Sequence, residues 1–267
     1  MNFNRNSRHF EFSNTLEGEQ LMDLEHFYAN SGHRSQRTWS QNLGLMLQPN
    51  SYTDFNAHPE FDEVFKLWTQ GDNFRGMDLA RLWSLMLNIK HVLGSRREGA
   101  LAELGVYKGN SSAVLSHYAR QFGRKMYLAD TFVGFDSTQI EGEAAVSDGK
   151  VTAFKDTSLE LAKRVVGDYE GNRWCVGMFP DSISPEMRDD SFAFVSIDCD
   201  IYQPIAEGLR FFWPRMVPGG MIFVHDYSSG HWPGATQAVD EFRTQEKVEG
   251  ILLSDLSGTY ALAKPGQ

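Results

Sequence analysis

Apolar residues fall into regular patterns along this chain only after about residue 75. From there, stretches with apolar side chains three or four positions apart, typical of helices, alternate with short apolar runs typical of buried strands. Asp78 can cap the first of these helices, and Gly94 lies where it would end. Beyond Gly94 the pattern predicts helices beginning at Ser111 and over 159–166, 205–212 and 235–242, and strands over 100–104, 126–129, 174–178, 192–197, 221–224, 251–256 and 259–263.

This alternation predicts an α/β fold with a doubly wound, Rossmann-like sheet that helices cover on both faces. The last two strands have no helix between them and are joined by the short Ser257-Gly258 link. We therefore expect a mostly parallel seven-stranded sheet that ends in an antiparallel C-terminal hairpin.

The first 75 residues have a different character, rich in Asn, Ser, Gln, His and Arg with scattered aromatic residues. Short helices are predicted at 21–28 and 61–68, and a partly disordered tail is the alternative for the first dozen residues. We divide the chain into residues 1–75, a helical appendage that would cover a substrate or form oligomer contacts, and residues 76–267, which carry the sheet.

Composition and charge narrow the class of partner. Hydrophobic residues make up 41% of the chain, enough for a sizeable core, and a net charge of −10 disfavours binding to nucleic acids and anionic membranes. No apolar stretch approaches the roughly 18 residues of a membrane helix, and no secretory signal is readable. Two cysteines cannot form a disulfide framework, so we expect a cytoplasmic protein in a reducing compartment.

Two of the predicted strands end in segments that suit a nucleoside. The segment from Glu103 to Ser112 contains Gly105 and Gly109, whose spacing differs from the Gly-x-Gly-x-x-Gly of dinucleotide binders. Asp130 follows the next strand, about 20 residues beyond Gly109, where an acid can accept hydrogen bonds from ribose hydroxyls. An ordinary turn and a solvent-exposed Asp are the structural alternatives. Adenosine without a pyrophosphate indicates S-adenosylmethionine.

Two further strands end in acidic residues: Asp198 and Asp200 follow one strand, and His225 and Asp226 follow the next. Neighbouring strands lie about 4.8 Å apart, so these side chains can share one ion. Three carboxylates with an imidazole suit a hard cation such as Mg²⁺ or Ca²⁺. The alternative is that these acids cap the following helices or lie in solvent at the edge of the sheet. Their clustering after two very apolar strands disfavours that alternative.

The strings AELGVYKGNSS, LADTFVGFD, SIDCDIYQP, GGMIFVHDY and PGATQAVDEF resemble the macrocin O-methyltransferase (TylF-type) family over residues 77–245. Those enzymes are class I S-adenosylmethionine-dependent methyltransferases that act mostly on deoxysugars of antibiotics. The family usually has two acids before the tyrosine of GGMIFVHDY, whereas this chain has His225 and Asp226.

The resemblance implies a role for each matching residue. Asp198 and Asp226 would bind Mg²⁺ or another hard divalent cation, and Asp200 would act as general base on the acceptor hydroxyl. His225 departs from the family pattern, so it would coordinate the metal, hold a water molecule or face elsewhere. We keep it as a candidate metal ligand and catalytic residue. The residues implied to bind the cofactor are Glu103, Gly105, Val106, Tyr107, Gly109, Ser111 and Ser112 for the methionine part, Asp130, Thr131 and Phe132 for the ribose, Gly177 and Phe179 near the adenine, and Asp198.

The sequence therefore predicts a metal-assisted O-methyltransferase of a (deoxy)sugar on a natural product or glycan. A hydroxyl bound to Mg²⁺ would lose its proton to Asp200 more readily and then attack the sulfonium methyl group. Alternatives are a catechol-type acceptor, an NAD-dependent reductase and a non-catalytic S-adenosylmethionine-binding scaffold. The expected partners are a glycoside or sugar acceptor, neither nucleic acid nor membrane, and, by resemblance, further copies of the chain in a homo-oligomer.

Overall fold

The computed structural model describes residues 60–70, 78–95, 97–140 and 153–266. The chain divides into two compact units, residues 1–44 and 45–267, and all described residues belong to the second. The helix expected at 21–28 lies outside the described residues. The helix expected at 61–68 is present, and it belongs to the same compact unit as the sheet. The division at residue 75 stays a prediction.

The helices and strands predicted within the described residues are present in the predicted order, and the structure adds two short helices, Ser137–Ile140 and Pro185–Asp189, that the pattern did not predict. The helices are α1 Phe61–Thr69, α2 Leu79–Gly94, α3 Asn110–Gln121, α4 Ser137–Ile140, α5 Leu159–Val166, α6 Pro185–Asp189, α7 Tyr202–Phe212 and α8 Pro233–Glu246, and the strands are β1 Ala100–Leu104, β2 Met126–Asp130, β3 Asn172–Val176, β4 Phe192–Ile197, β5 Met216–Val224, β6 Gly250–Leu252 and β7 Tyr260–Ala263.

The seven strands form one sheet in the order β3-β2-β1-β4-β5-β7-β6. Strands β1 to β5 pair in parallel, whereas β7 runs antiparallel to both β5 and β6. The predicted doubly wound sheet with an antiparallel C-terminal hairpin is confirmed. The strand order reverses between β1 and β4, and ligands of such sheets bind outside the carboxyl ends of the strands at that point.

Two hydrophobic clusters lie against the sheet. One joins α1, α2 and α3 to it, and the other joins α7 and α8. Every residue of β1 and of β4 is buried, as expected for central parallel strands with helices on both faces. In the part of the chain that the structure describes, no helix is long and apolar enough to cross a membrane.

The hairpin differs from the prediction in its first strand, which ends at Leu252 although the apolar pattern continues to residue 256. Asp255 accepts hydrogen bonds from the backbone amide and the hydroxyl of Thr259. The amide of Leu256 donates instead to Asp78, at 2.7 Å. These contacts fold residues 253–259 into a connection that the apolar pattern could not reveal.

Candidate active site

Four residues just beyond the carboxyl ends of β1, β2, β4 and β5 have left-handed backbone conformations. They are Tyr107, Phe132, Asp200 and Asp226, with φ of 51°, 57°, 61° and 63°. Such a conformation costs on the order of 1–3 kcal/mol in a residue with a side chain, and it concentrates at functional sites. The strained turns bring the four connections together at one edge of the sheet.

The loop after β1 needs glycine where it approaches β4. Gly105 has a φ of +95°, and a Cβ added there would lie 2.1 Å from the carbonyl oxygen of Asp198. Gly109 has a φ of +94° at the start of α3. Asp130 holds this loop in place, since it accepts hydrogen bonds from the amides of Tyr107 at 2.8 Å and Phe132 at 2.7 Å. Burial raises the pKa of Asp130, while these backbone hydrogen bonds lower it in part.

Glu103 is a fully buried acid near the carboxyl end of β1. Its Oε2 accepts a hydrogen bond from the hydroxyl of Ser112. Its Oε1 has no hydrogen-bond partner among the described residues. Burial raises the pKa of Glu103 to about 7, and the hydroxyls of Ser112 and Ser111 limit the shift. A buried carboxylate oxygen without a donor is costly unless a ligand supplies one.

A cavity of about 350 Å³ opens beyond the ends of β2 and β3. Thr131 and Gly177, both expected near the nucleoside, line it. Phe179, expected near the adenine, is not among the lining residues and packs in the core, where its ring stacks on Phe212 with the centroids 5.9 Å apart. The expected role of Phe179 near the adenine stays a prediction.

The acidic residues after β4 and β5 do come together. The Nδ1 atom of His225 lies 3.1 Å from Oδ1 of Asp198 and 3.0 Å from Oδ2 of Asp226. The Nε2 atom of His225 lies 3.1 Å from the carbonyl oxygen of Leu256. Because a carbonyl can only accept, Nε2 carries a proton and Nδ1 faces the two carboxylates. Asp200 is also buried, and it lies close enough to Asp226 for the charges of the two carboxyl groups to interact.

The profile of the macrocin-O-methyltransferase (TylF) family matches residues 74–261, well over half of the chain, and includes β1 to β6 and the first half of β7. The chain belongs to this family. It is therefore an S-adenosylmethionine-dependent O-methyltransferase, which decides against the nicotinamide-dependent reductase.

Individual relatives of this methyltransferase agree with that assignment. The demethyldecarbamoylnovobiocin O-methyltransferase of Streptomyces niveus is 27% identical over 195 residues, 68% of this chain and 72% of that protein. An 8-demethyl-8-(2,3-dimethoxy-alpha-L-rhamnosyl)-tetracenomycin-C 4'-O-methyltransferase of Streptomyces olivaceus is 25% identical over 191 residues, 68% of this chain and 71% of that protein. Among solved structures, the O-methyltransferase NovP shares the fold, with a TM-score of 0.62 at 22% identity over 71% of this chain and 81% of that chain.

The pKa values of three residues in the carboxyl cluster of the methyltransferase are shifted from their ordinary values. Burial alone would raise the pKa of Asp198, but the adjacent Arg81 and His225 outweigh it and hold that pKa well below its usual range. Burial and Arg81 oppose protonation of His225, yet the carboxylates of Asp198 and Asp226 raise its pKa to about 10. Burial, together with the charges of Asp226 and Asp198, raises the pKa of Asp200 well above its usual value.

Arg81 and Asp78 are site residues that the sequence patterns did not indicate. The Nη2 atom of Arg81, in the first turn of α2, donates to Oδ2 of Asp198 at 2.8 Å. Asp78 caps the same helix by accepting from the amide of Arg81 at 3.0 Å. The N-cap of α2 was predicted, but not its position beside the acids, because Arg81 and Asp198 lie 117 residues apart.

A second group of possible metal ligands consists of Asp78, His225 and Asp255. Both oxygens of Asp78 accept backbone amides, and both oxygens of Asp255 accept donors of Thr259. These carboxylates stabilise a helix start and a turn, so the group carries no metal assignment.

The segment after residue 152 lies against the loop that follows β1. Asp156 accepts from the hydroxyl of Tyr107 at 2.6 Å and from Nζ of Lys108 at 2.7 Å. The ring of Phe154 packs edge-on against Tyr107 and lies 6.3 Å from the ring of Trp232, which precedes α8. This segment thus contacts both the loop after β1 and the connection after β5.

Proposed function

We propose that this methyltransferase transfers the methyl group of S-adenosylmethionine to a hydroxyl of a sugar, in particular a deoxysugar, on a natural product or glycan. The observation that carries the proposal is the buried cluster of Asp198, Asp200, His225 and Asp226 at the sheet's switch point, beside the glycine loop. One relative is named as the O-methyltransferase of demethyldecarbamoylnovobiocin and another as a 4'-O-methyltransferase of a rhamnosyl-tetracenomycin C, and the rhamnosyl group supports a glycosidic acceptor.

We assign the methionine part of the cofactor to the loop after β1. The positive φ of Gly105 and Gly109 lets this loop turn close to Asp198 and α5. Oε1 of Glu103, which has no partner among the described residues, would accept a hydrogen bond from the cofactor's ammonium group. Val106, Ser111 and Ser112 belong to the same loop and helix start. We assign Asp130 to the ribose and the cavity beyond β2 and β3 to the adenine.

The residues present fit a hard divalent cation such as Mg²⁺. One donor atom each from Asp198, His225 and Asp226 lie within 4.8 Å of one another, and the crowding of Asp200 against Asp226 is the kind of repulsion that a cation relieves. Asp198 and Asp226 would hold the ion, with His225 as a third ligand once its Nδ1 is deprotonated. When bound, Mg²⁺ would lower the pKa of an acceptor hydroxyl and fix its direction.

Asp200 is the residue that we assign as general base. The sulfonium is already a good leaving group, so the protein mainly has to align the acceptor and remove its proton. Asp200 is buried in a left-handed turn just beyond β4, where its carboxyl interacts with the charges of Asp226 and Asp198. A carboxyl with a raised pKa accepts a proton more readily than an ordinary one, provided that it is deprotonated when the acceptor binds.

We further propose that the enzyme acts in the cytoplasm as a homo-oligomer. Both cysteines, Cys175 and Cys199, are free, which agrees with a reducing compartment. The homo-oligomer is proposed from the family resemblance, and we assign no residues to its interface.

The proposal is tested with S-adenosylmethionine carrying a deuterated methyl group and a panel of glycosylated natural products that lack one sugar O-methyl group. We expect mass-labelled product with at least one deoxysugar glycoside, and none with the matching aglycone. Transfer to catechols but to no glycoside would contradict the sugar assignment. Asp200→Asn serves as the control for uncatalysed transfer.

A further inference from the structure

Asp198 has its two oxygens in different surroundings. Its Oδ2 accepts from Nη2 of Arg81 at 2.8 Å, whereas its Oδ1 faces Nδ1 of His225 at 3.1 Å. The Arg81 and Asp198 side chains are only 14% and 22% exposed, so solvent screens this ion pair weakly. The orientation of Asp198 therefore depends on a guanidinium contributed by α2, outside the loops that follow the strands.

The start of α2 is also held by contacts other than this ion pair. Asp78 already ties the helix to the rest of the fold, since it accepts the amide of Arg81 with one oxygen and the amide of Leu256 with the other. The carbonyl of that same Leu256 contacts His225. Asp78 thus anchors the start of α2 through its own hydrogen bonds, and we consider a separate role for the guanidinium of Arg81.

The guanidinium is also restrained on its other side. It lies over the ring of Trp68 in α1, 5.8 Å from the ring centroid. A planar guanidinium held by an aromatic ring and a carboxylate has few alternative rotamers. The ammonium group of a lysine is not planar and could not be held in the same way.

We propose that Arg81 is a positioning residue for methyl transfer: it holds Oδ2 of Asp198, so that Oδ1 is directed at His225 and Asp226. This inference rests on the proposed function, because it assumes that the cluster aligns the acceptor. Arg81 also supplies a fixed positive charge beside the three carboxyl groups of the cluster. Without it, Asp198 is free to turn and to present both oxygens to His225.

The test compares Arg81→Gln and Arg81→Lys with Arg124→Gln. Arg124 is a matched control because its side chain is 18% exposed and pairs with Glu98, away from the acid cluster. We expect Arg81→Gln to lower kcat by roughly 10–100-fold, the cost of a misplaced reacting group, with little change in the acceptor KM or in the calorimetric Kd of S-adenosylmethionine. Arg81→Lys should have a higher kcat than Arg81→Gln but a lower one than the wild type. If Arg81→Gln does not fold, the Lys variant still allows the comparison with Arg124→Gln.

A second readout needs no acceptor. The ring ¹⁵N signals of His225, assigned by their loss in His225→Ala, should move in Arg81→Gln and stay unchanged in Arg124→Gln. Two results would overturn the proposal and leave Arg81 a purely structural role. One is that the His225 signals do not change in Arg81→Gln. The other is that Arg81→Gln and Arg124→Gln lose kcat equally while their Tm values fall equally. A wild type that binds S-adenosylmethionine but methylates no glycoside contradicts the proposed function instead, while the His225 signals still decide on Arg81.

Discussion

The amide of Tyr107 donates a 2.8 Å hydrogen bond to Oδ2 of Asp130, which joins the loop after β1 to the end of β2. The other oxygen of Asp130 holds the amide of Phe132. An acid expected to bind ribose therefore also shapes the two loops between which the cofactor is expected to lie.

Asp130→Ala should weaken S-adenosylmethionine binding by about 1.5–3 kcal/mol, since the ribose loses charged hydrogen bonds and the Tyr107 loop loses its support. Isothermal titration calorimetry measures the change. Asp130→Asn, which keeps one acceptor oxygen, should lose less. Unchanged affinity in the Ala variant would remove Asp130 from the cofactor site.

Asp200→Asn should lower kcat by roughly 10²–10⁴-fold, the range for a positioned general base, while the cofactor Kd changes little. Added Mg²⁺ should not restore the rate, because the missing function is proton acceptance. Asp226→Asn is the comparison variant, and its rate should recover in part at high Mg²⁺. The same Mg²⁺ response in both variants would show that the two acids do not have the separate roles assigned here.

His225→Asp should tighten the binding of a divalent cation, because a carboxylate replaces a ring that is held in its cationic form between Asp198 and Asp226. Calorimetric titration with Mn²⁺ detects the change without an acceptor. His225→Gln, neutral and similar in size, separates the loss of positive charge from the gain of a ligand. Weaker Mn²⁺ binding in His225→Asp than in the wild type would indicate that the imidazole itself is the better ligand.

Removal of divalent cations with EDTA, followed by desalting, should reduce methyl transfer and leave S-adenosylmethionine binding in place. Re-addition of Mg²⁺ should restore the rate. Full activity after exhaustive chelation would disprove the metal proposal and leave Asp200 or His225 as a base that works without an ion.

Glu103 should make stability depend on pH. Its ordinary pKa is 4.5, and burial raises it to about 7 in the folded protein. Between these values the folded state keeps a proton that the unfolded state releases, so stability falls as pH rises from about 4.5 to about 7 and is level above that.

Glu103→Gln lacks this titration. The difference in unfolding free energy between the cofactor-free wild type and the variant should shift by up to about 3 kcal/mol across that window, in favour of the variant at higher pH. Urea denaturation at several pH values measures it. A difference that stays constant with pH would show that Glu103 titrates normally.

Much of the candidate site could be predicted from the sequence because its residues directly follow buried strands. The apolar runs that become β1, β2, β4 and β5 stop at Gly105, Asp130, Asp198 and His225. Parallel strands bring their carboxyl ends to one edge of a sheet, so chain order was enough to bring these side chains together.

Other features depended on contacts between distant segments. No local pattern places Arg81 on Asp198, since the pairing depends on how α2 packs across the sheet. The ring of Phe179, beyond β3, stacks on that of Phe212 in α7, and no local pattern indicates this contact. Beyond the end of β6, the amide of Leu256 donates a hydrogen bond to Asp78, which lies far away in the sequence. Hydrophobic periodicity is a local property and determined the order of the elements, whereas buried ion pairs and aromatic contacts form only after packing and were decided by the tertiary structure.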